Sequence, residues 1–223
     1  MTDGIRIAPS VLAADLTRLG EHVAQALAGG ADWLHVDIMD GCYVPSITFG
    51  ANMVAALRKL TNKPLDVHLM VVEPEKYIAP CADAGASVFT FHPDATRHVQ
   101  RQLAAVKERG MLAGLALNPA APLALVEDVA SDLDLLLIMT VNPGFGGQTY
   151  LPGSDDKIRR ARELLAARGS RAYIEVDGGI TAQTIGRAHS AGADTFVAGQ
   201  AVFGAADPAR EVRELRRRCL VTV

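Results

Sequence analysis

The 223-residue sequence predicts an α/β fold, a (β/α)8 TIM barrel of eight parallel strands with outer helices. Short apolar runs alternate with segments of helical periodicity eight times along the chain. The runs are apolar at consecutive positions, which is typical of parallel strands covered on both faces. Gly-Ala-Asp or Gly-Ala-Ser triplets come just before three of the strands and supply glycines suited to ending a helix. Eight units of about 28 residues fit a compact barrel.

Each predicted strand is bounded by turn or helix signals. In chain order the strands are Ile5–Leu12, Trp33–Met39, Leu65–Val71, Ser87–His92, Leu112–Asn118, Leu133–Val141, Ala172–Asp177 and Thr195–Phe203. A capping side chain precedes two of the later helices, Thr181 before Ala182 and Asp207 before Pro208. An open, doubly wound sheet is the alternative topology. Because no Pro-, Gly- or Ser-rich linker divides the chain, we expect one barrel domain over residues 1–223.

Composition limits the classes of function. Hydrophobic residues make up 49% of the chain and charged residues 21%, so the protein can bury a large core. A net charge of −3 without a Lys/Arg-rich block predicts no nucleic-acid or membrane partner. The basic cluster near the C-terminus is better explained as the last turn of a helix, and its residues are Arg213, Arg216, Arg217 and Arg218. No apolar run approaches the roughly 20 residues of a membrane span, and no signal sequence is evident, which predicts a cytoplasmic protein. The three scattered cysteines are expected to be reduced.

Histidines and aspartates at the ends of predicted strands form the most informative pattern. His35 and Asp37 lie two residues apart on the second strand and therefore share a face, while His68 and Asp177 belong to the third and seventh strands. The carboxyl ends of barrel strands meet at one mouth, where functional groups lie. A lone histidine there is more often a hydrogen-bonded core residue. Two imidazoles with two carboxylates instead favour a divalent ion, with Zn, Fe(II), Mn and Co all acceptable.

Glycine-rich segments accompany the last three strands. They are Asn142-Pro143-Gly144-Phe145-Gly146-Gly147-Gln148 after the sixth strand, Asp177-Gly178-Gly179 after the seventh and Ala198-Gly199-Gln200 within the eighth. Glycines let backbone N–H groups approach an anion closely, and the late loops of barrels commonly bind phosphate. One such loop is weak support, but three on consecutive strands predict a phosphate site. The sixth loop is long enough to close over a substrate.

The remaining residues narrow the reaction. A Schiff-base aldolase is not expected, because every lysine lies on a predicted helix or loop: Lys59, Lys63, Lys76, Lys107 and Lys157. A decarboxylase with an Asp/Lys network is not expected either, because Met39 follows Asp37 where that site needs a charge. Two carboxylates on opposite faces of a carbon acid, with a metal at the adjacent carbonyl, can remove a proton on one side and deliver one on the other. That chemistry is epimerisation.

Five segments together resemble the ribulose-phosphate 3-epimerase family. They are Ala8-Pro9-Ser10-Val11-Leu12, His35-Val36-Asp37-Ile38-Met39-Asp40-Gly41, Asp66-Val67-His68-Leu69-Met70, Asn142-Pro143-Gly144-Phe145-Gly146-Gly147-Gln148 and Val176-Asp177-Gly178-Gly179-Ile180. The resemblance covers all eight units. It implies interconversion of D-ribulose 5-phosphate and D-xylulose 5-phosphate, in the pentose phosphate pathway or carbon fixation, with one divalent metal ion per subunit. It also implies a homo-oligomer.

The resemblance assigns roles to individual residues. It implies metal ligation by His35, Asp37, His68 and Asp177, with Asp37 and Asp177 as the acid/base pair. One aspartate would take the C3 proton, the metal would stabilise the enediolate, and the other aspartate would protonate the opposite face. Sugar contacts are implied for Ser10 and His68, and phosphate contacts for Gly144, Phe145, Gly146, Gly147, Gly178, Gly179, Gly199 and Gln200.

Two further features follow from the same comparison. Gln200 departs from the family pattern, which has a small Ser, Thr or Asn after Gly199. The larger side chain of Gln200 affects the fit of the substrate beside Gly199. The methionines that match the lining of the family's pocket are Met39, Met70 and Met139. Filling an irregular core explains these methionines about as well, since methionine adapts to gaps of many shapes.

Two other functions are open at this point. One is a sister epimerase that acts on a six-carbon ketose phosphate such as D-allulose 6-phosphate. The other is a catalytically silent phosphosugar-binding barrel, because a fold does not fix a function. The presence of both Asp37 and Asp177 argues against the silent protein.

Overall fold

The computed structural model describes residues 4–220, so the ends of the predicted 1–223 domain lie outside the described residues. The strands are β1 Arg6–Ala8, β2 Leu34–Met39, β3 Leu65–Met70, β4 Val88–Phe91, β5 Leu112–Leu117, β6 Leu135–Met139, β7 Tyr173–Asp177 and β8 Thr195–Val197. The α-helices of the described residues are α1 Leu19–Ala28, α2 Ala51–Arg58, α3 Ile78–Asp83, α4 Val99–Glu108, α5 Ala124–Glu127, α6 Ser154–Ala167, α7 Ile185–Ser190, α8 Gln200–Phe203 and α9 Pro208–Leu220. The strands pair in parallel in the order β1-β8-β7-β6-β5-β4-β3-β2. The predicted (β/α)8 barrel is confirmed.

The barrel closes between β1 and β2. The N–H of Asp32 donates to the carbonyl of Ile7 at 2.9 Å, and the N–H of His35 donates to the carbonyl of Pro9 at 3.0 Å. An isolated parallel bridge joins Ser10 to His35 just beyond the end of β1. This closure places Ser10 beside the polar end of β2.

The first strand is shorter than predicted. It ends at Ala8 rather than at Leu12, because the Ser10 side chain accepts a hydrogen bond from the Leu12 N–H and begins a 3₁₀ turn over Val11–Ala13. A polar side chain that bonds its own backbone competes with strand pairing in this way. The sequence prediction for the end of this strand was therefore wrong.

The eighth strand is also shorter than predicted. It ends at Val197 rather than at Phe203, because Gly199 caps the short helix α8, which begins at Gln200. Gly199 and Gln200 therefore follow the strand instead of lying within it, and that assignment was wrong. The other predicted strands agree with the observed ones to within two residues at each end.

The two predicted helix caps have different outcomes. Asp207 Oδ1 accepts a hydrogen bond from the Arg210 N–H at 2.9 Å, which confirms it as the cap of α9. Thr181 accepts from the Gln183 N–H in a turn, and α7 begins only at Ile185. Within residues 4–220, no helix combines the length and apolarity needed to cross a bilayer.

Alternation along the strands divides the core into two parts. Val36 and Ile38 of β2 face outward and pack in a large apolar cluster with residues of the surrounding helices, such as Val54. The inward-facing residues of several strands form a second cluster that fills the barrel: Ala8, Trp33, Val88, Ala116, Leu135, Leu137, Met139, Val141 and Val197. Successive strand residues point to opposite faces, so the inward-facing residues fill the barrel and those at the carboxyl ends of the strands line its mouth.

The polar residue just before several strands ties two neighbouring strands together. Its side chain accepts a hydrogen bond from a backbone N–H at the start of the strand before it. The pairs are Asp32 with Ile7 at 2.8 Å, Ser87 with Leu65 at 3.2 Å, Asp134 with Ala113 at 2.9 Å and Asp194 with Ile174 at 3.3 Å. The Gly-Ala-Asp and Gly-Ala-Ser triplets therefore end a helix with their glycine and fix strand position with their last residue.

Gly114 on β5 permits a close approach between strands, and this generates a stability prediction. A Cβ at Gly114 would lie 2.3 Å from Thr90 Oγ1 and 3.1 Å from Thr90 Cβ, both inside the barrel. We expect Gly114→Ala to lower the free energy of unfolding by about 1–3 kcal/mol, because β5 or the Thr90 side chain must move. Denaturant unfolding measures the change.

Gly20→Ala is the matched control. Gly20 lies in α1, and the nearest heavy atom to an added Cβ is 3.9 Å away. Its unfolding free energy should be unchanged or higher by up to about 1 kcal/mol, because alanine favours helix over glycine. Equal stability of Gly114→Ala and the unmodified protein would contradict the packing argument.

Candidate active site

Three of the four predicted metal ligands meet on neighbouring strands. β2 and β3 pair with Asp37 directly opposite His68, and both side chains face the barrel interior. Asp37 Oδ1 lies 3.2 Å from His35 Nε2 and 3.2 Å from His68 Nδ1. The Ser10 hydroxyl donates to the other carboxylate oxygen, Asp37 Oδ2, at 2.6 Å. The carboxylate is thus held by three side chains from three different segments.

Asp177 at the end of β7 completes the group. One donor atom from each of His35, Asp37, His68 and Asp177 lies within 4.8 Å of a donor atom from each of the others. The structure therefore brings together all four residues that the sequence analysis singled out. Two imidazole nitrogens and two carboxylates are the chemistry that divalent ions of the zinc and iron type accept, so the donor set fits such an ion. That the residues bind an ion stays a prediction.

A second layer of polar residues lies behind His35. Its Nδ1 is 2.6 Å from Asp66 Oδ2 and 3.9 Å from Glu175 Oε1, and all three residues are fully buried. The sequence analysis gave Asp66 and Glu175 no function. The available signal was the alternation of strands, because Asp66 shares a face with His68, and Glu175 shares one with Asp177.

His92 follows β4 and was also missed. Its Nε2 lies 3.0 Å from His68 Nε2, and the residue is fully buried. Its ring centroid is 4.8 Å from that of Tyr43. Like the predicted ligands, His92 stands at the carboxyl end of a barrel strand, which is the position that could have drawn attention to it.

The two aspartates have opposite pKa shifts. Burial raises the pKa of Asp37, but the charge on His35 and the hydrogen bonds from His35 and His68 outweigh burial and hold that pKa well below its usual range. Burial, reinforced by repulsion from Asp37, raises the pKa of Asp177 to about 7. Near neutral pH the ion-free site therefore holds one ionised carboxylate and one carboxyl group that is partly protonated.

The two histidines also differ. Burial lowers the pKa of His35, but the neighbouring carboxylates of Asp37 and Asp66 outweigh it and raise that pKa well above its ordinary value. Burial dominates at His68 and lowers its pKa despite the hydrogen bond with Asp37. His35 is consequently the charged partner of Asp37, and His68 is neutral.

A cavity of about 650 Å³ opens above this cluster at the mouth of the barrel. The predicted site residues that line it are Ser10, Asp37, Met39, Met70, Met139, Gly144, Phe145, Gly146, Gly147, Asp177, Gly178, Gly179, Gly199 and Gln200. His35 and His68 are fully buried and are not among the lining residues, and the sugar contact of His68 stays a prediction. Ser46 and Thr48, after β2, line the cavity and were not predicted.

The loops after β6 and β7 require glycine at the mouth. Gly178 and Gly179 have φ angles of +118° and +66°, a region that favours glycine. A Cβ at Gly179 would also lie 2.3 Å from the Tyr150 backbone nitrogen. In the loop after β6, the Ser46 hydroxyl donates to the carbonyl of Gly144 at 2.7 Å. The two loops can therefore pass close to the cavity without side chains filling it.

Gln200 and Phe145 lie at the outer rim. Gln200 is exposed and begins α8, and its Nε2 would be 2.3 Å from a Cβ placed on Gly204. The larger side chain is thus accommodated along its own helix, against Gly204. Phe145 is 61% exposed although it is aromatic, which leaves its ring free at the edge of the cavity.

Solved structures of low sequence identity share the barrel. A structure of KGPDC from Streptococcus mutans has a TM-score of 0.73 at 16% identity, with 99% of each chain covered. Orotidine 5'-phosphate decarboxylase from Pyrococcus horikoshii OT3 has a TM-score of 0.69 at 17% identity, with 95% of this chain and 98% of that chain covered. These likenesses show the fold alone.

Sequence relatives are much closer. The model of the ribulose-phosphate 3 epimerase family matches residues 6–203. Ribulose-phosphate 3-epimerase 1 of Cupriavidus necator is 50% identical over 207 residues, which cover 91% of this chain and 86% of that protein. Ribulose-phosphate 3-epimerase of Escherichia coli K12 is 47% identical over 211 residues, which cover 94% of each chain. With this match over the whole barrel, the chain belongs to the ribulose-phosphate 3-epimerase family and is an enzyme of that kind.

Proposed function

We propose that this enzyme interconverts D-ribulose 5-phosphate and D-xylulose 5-phosphate by proton transfer at C3, with one divalent ion held by His35, Asp37, His68 and Asp177. The observation that carries the proposal is the position of two carboxylates with opposite pKa shifts on the floor of one cavity, beside two imidazoles. The pentose phosphate pathway or carbon fixation as its setting, and a homo-oligomeric state, are expectations from the family resemblance.

The proton transfers depend on Asp37 and Asp177. A bound divalent ion would polarise the substrate carbonyl and stabilise the negative charge that develops on its oxygen. Asp37 and Asp177 both line the cavity, so one carboxylate can accept the C3 proton while the carboxyl group of the other delivers a proton to the opposite face of the carbon. The roles exchange in the reverse direction. Their origin on β2 and β7, which are separated by β1 and β8 around the closed barrel, supports an approach to the carbon from two sides.

The phosphate end of the substrate fits the glycine-rich side of the cavity. Among the described residues that line the cavity there is no Lys or Arg, so backbone N–H groups are the available donors. The first N–H groups of a helix lack intrahelical acceptors, and Gln200 and Ala201 occupy that position in α8. Together with the loops at Gly144 to Gly147 and at Gly178 and Gly179, they support phosphate binding at the end of the cavity formed by β6, β7 and β8.

Removal of either carboxylate tests the two-acid mechanism. We expect Asp37→Asn and Asp177→Asn each to lower kcat by about 10²–10⁴-fold, because the amide can neither accept nor deliver the C3 proton. A coupled spectrophotometric assay measures kcat, and circular dichroism checks that each variant is folded. Asp128→Asn, at an exposed position after α5, is the matched control and should keep normal turnover. An Asp177→Asn variant with near-normal kcat contradicts the assignment.

The pKa of Asp177 predicts how ion binding depends on pH. In the ion-free protein that pKa is raised to about 7, and a proton on the carboxyl group competes with an ion. Raising the pH from 6 to 8 removes the proton, so the apparent affinity for Zn²⁺ should increase over this range. Titration against a competing chelator measures it. In Asp177→Asn the increase should be shallower, and an affinity that is constant from pH 6 to 8 in the unmodified protein argues against Asp177 as a ligand.

Proton exchange at C3 tests the reaction and its need for an ion together. After chelation, the protein in deuterated water should place no deuterium at C3 of ribulose 5-phosphate, and restoring Zn²⁺, Fe²⁺, Mn²⁺ or Co²⁺ one at a time should restore the label. Mass spectrometry of the recovered sugar measures it. Full labelling by the chelated protein would show that no ion is needed.

A kinetic comparison separates this function from the sister epimerase. Comparing kcat/KM for D-ribulose 5-phosphate and D-allulose 6-phosphate decides which ketose phosphate is the substrate. The family match favours the five-carbon sugar.

A further inference from the structure

His92 lies beside the predicted metal ligands without being one of them. It follows β4, is fully buried, and has its Nε2 at 3.0 Å from His68 Nε2. Two ring nitrogens at this distance form a hydrogen bond only if one of them carries the proton and the other presents a lone pair. The His92 Nδ1 has no hydrogen-bond partner among the described residues.

The direction of that hydrogen bond follows from the other face of His68. Its Nδ1 points to Asp37 Oδ1 at 3.2 Å, and Asp37 and His68 both belong to the four-residue donor cluster. A neutral imidazole binds an ion through the nitrogen that lacks a proton. In the form with its proton on Nδ1, His68 donates to Asp37. Ion binding at Nδ1 requires the other form, with the proton on Nε2, where it can be donated to His92 Nε2. The proton of His92 is then on Nδ1.

We propose that His92 is a positioning residue of the metal centre, which accepts the Nε2–H of His68 and thereby keeps the His68 Nδ1 lone pair directed at the ion. The inference rests on the proposed function, because it presumes that the four-residue cluster holds an ion. Asp66 stands in the same relation to His35, whose Nδ1 lies 2.6 Å from Asp66 Oδ2. Each imidazole ligand would thus have its own partner on the side away from the ion.

The surroundings of His92 hold its ring in one orientation. The Tyr43 ring lies over it with a centroid distance of 4.8 Å and an angle of 35° between the planes. The Tyr43 hydroxyl donates to Asp94 Oδ1 at 3.0 Å and accepts from Asn118 Nδ2 at 2.8 Å. Tyr43 is thereby fixed to the segments that follow β4 and β5, and the His92 ring is fixed between Tyr43 and His68.

Binding of Zn²⁺ to the ion-free protein tests the proposal without reference to turnover. His92→Phe keeps a flat ring and removes the acceptor, so we expect the Zn²⁺ affinity to fall about 10–100-fold in a chelator competition titration. His92→Gln retains a side-chain carbonyl as acceptor and should recover part of the loss. His98→Phe makes the same chemical change at an exposed histidine before α4 and should leave the affinity unchanged. Thermal unfolding of the ion-free variants reports any general loss of stability.

Nitrogen NMR gives an independent readout, and its first measurement uses only the unmodified protein. Long-range proton–nitrogen correlation of the Zn²⁺-loaded protein should show His68 protonated on Nε2 and His92 protonated on Nδ1. In His92→Phe the population of the His68 Nε2–H form before Zn²⁺ is added should decrease, an effect that a merely structural residue would not produce.

The outcomes separate this proposal from the proposed function. If the unmodified protein binds no Zn²⁺, the metal centre and the role of His92 are both overturned. If it binds one equivalent while His92→Phe binds equally tightly, or if His68 carries its proton on Nδ1 in the loaded protein, only the role of His92 is overturned. Should His92→Phe fail to fold, the spectrum of the unmodified protein decides.

Discussion

The interaction on which the site depends is the contact of the buried Asp37 carboxylate with two imidazoles and a hydroxyl. A carboxylate in a barrel interior is strongly disfavoured unless charges and hydrogen bonds compensate it. His35 supplies the opposite charge, while His68 and Ser10 supply hydrogen bonds. Because these groups come from β2, β3 and the turn after β1, the closure of the barrel and the ionisation of Asp37 depend on each other.

The same constraint explains the polar layer beneath the site. His35 can carry its charge inside the barrel because Asp66 lies against its Nδ1. Burial, followed by repulsion from Asp66, raises the pKa of Glu175 well above its usual value, so Glu175 is neutral. A neutral Glu175 limits the number of charges that this layer must bury. Farther down, apolar side chains fill the barrel, and the Arg6 guanidinium packs over the Tyr173 ring at 3.9 Å near its closed end.

Features fixed by strand periodicity could be predicted from the sequence. His35, Asp37 and His68 were placed together because alternate residues of a strand share a face and parallel strands end at one mouth. Features that depend on hydrogen bonds between residues distant along the chain could not. The Asp residue in Gly-Ala-Asp, for example, accepts a hydrogen bond from an N–H of a different strand. The turn at Ser10 is local, but periodicity does not show that the Ser10 side chain accepts from the Leu12 N–H in place of strand pairing. The position of His92 after β4 was a sequence signal, but its contact with His68 arises only from the pairing of β3 and β4.

The barrel alone does not select the reaction, because a structure named for decarboxylation shares it at a TM-score of 0.69. The reaction depends on the chemistry of the inward-facing strand ends, and in this chain the positions of the lysines matter. Lys157 on α6 is a buried lysine, and burial lowers its pKa to about 8, a value that suits a nucleophilic amine. Its Nζ, however, donates to the carbonyls of Asn118, Pro119 and Ala121 in the loop after β5, and it is not part of the cavity wall. Among the described residues, the cavity wall therefore offers the carboxylates of Asp37 and Asp177 but no amine, which supports the proton transfer proposed for this site.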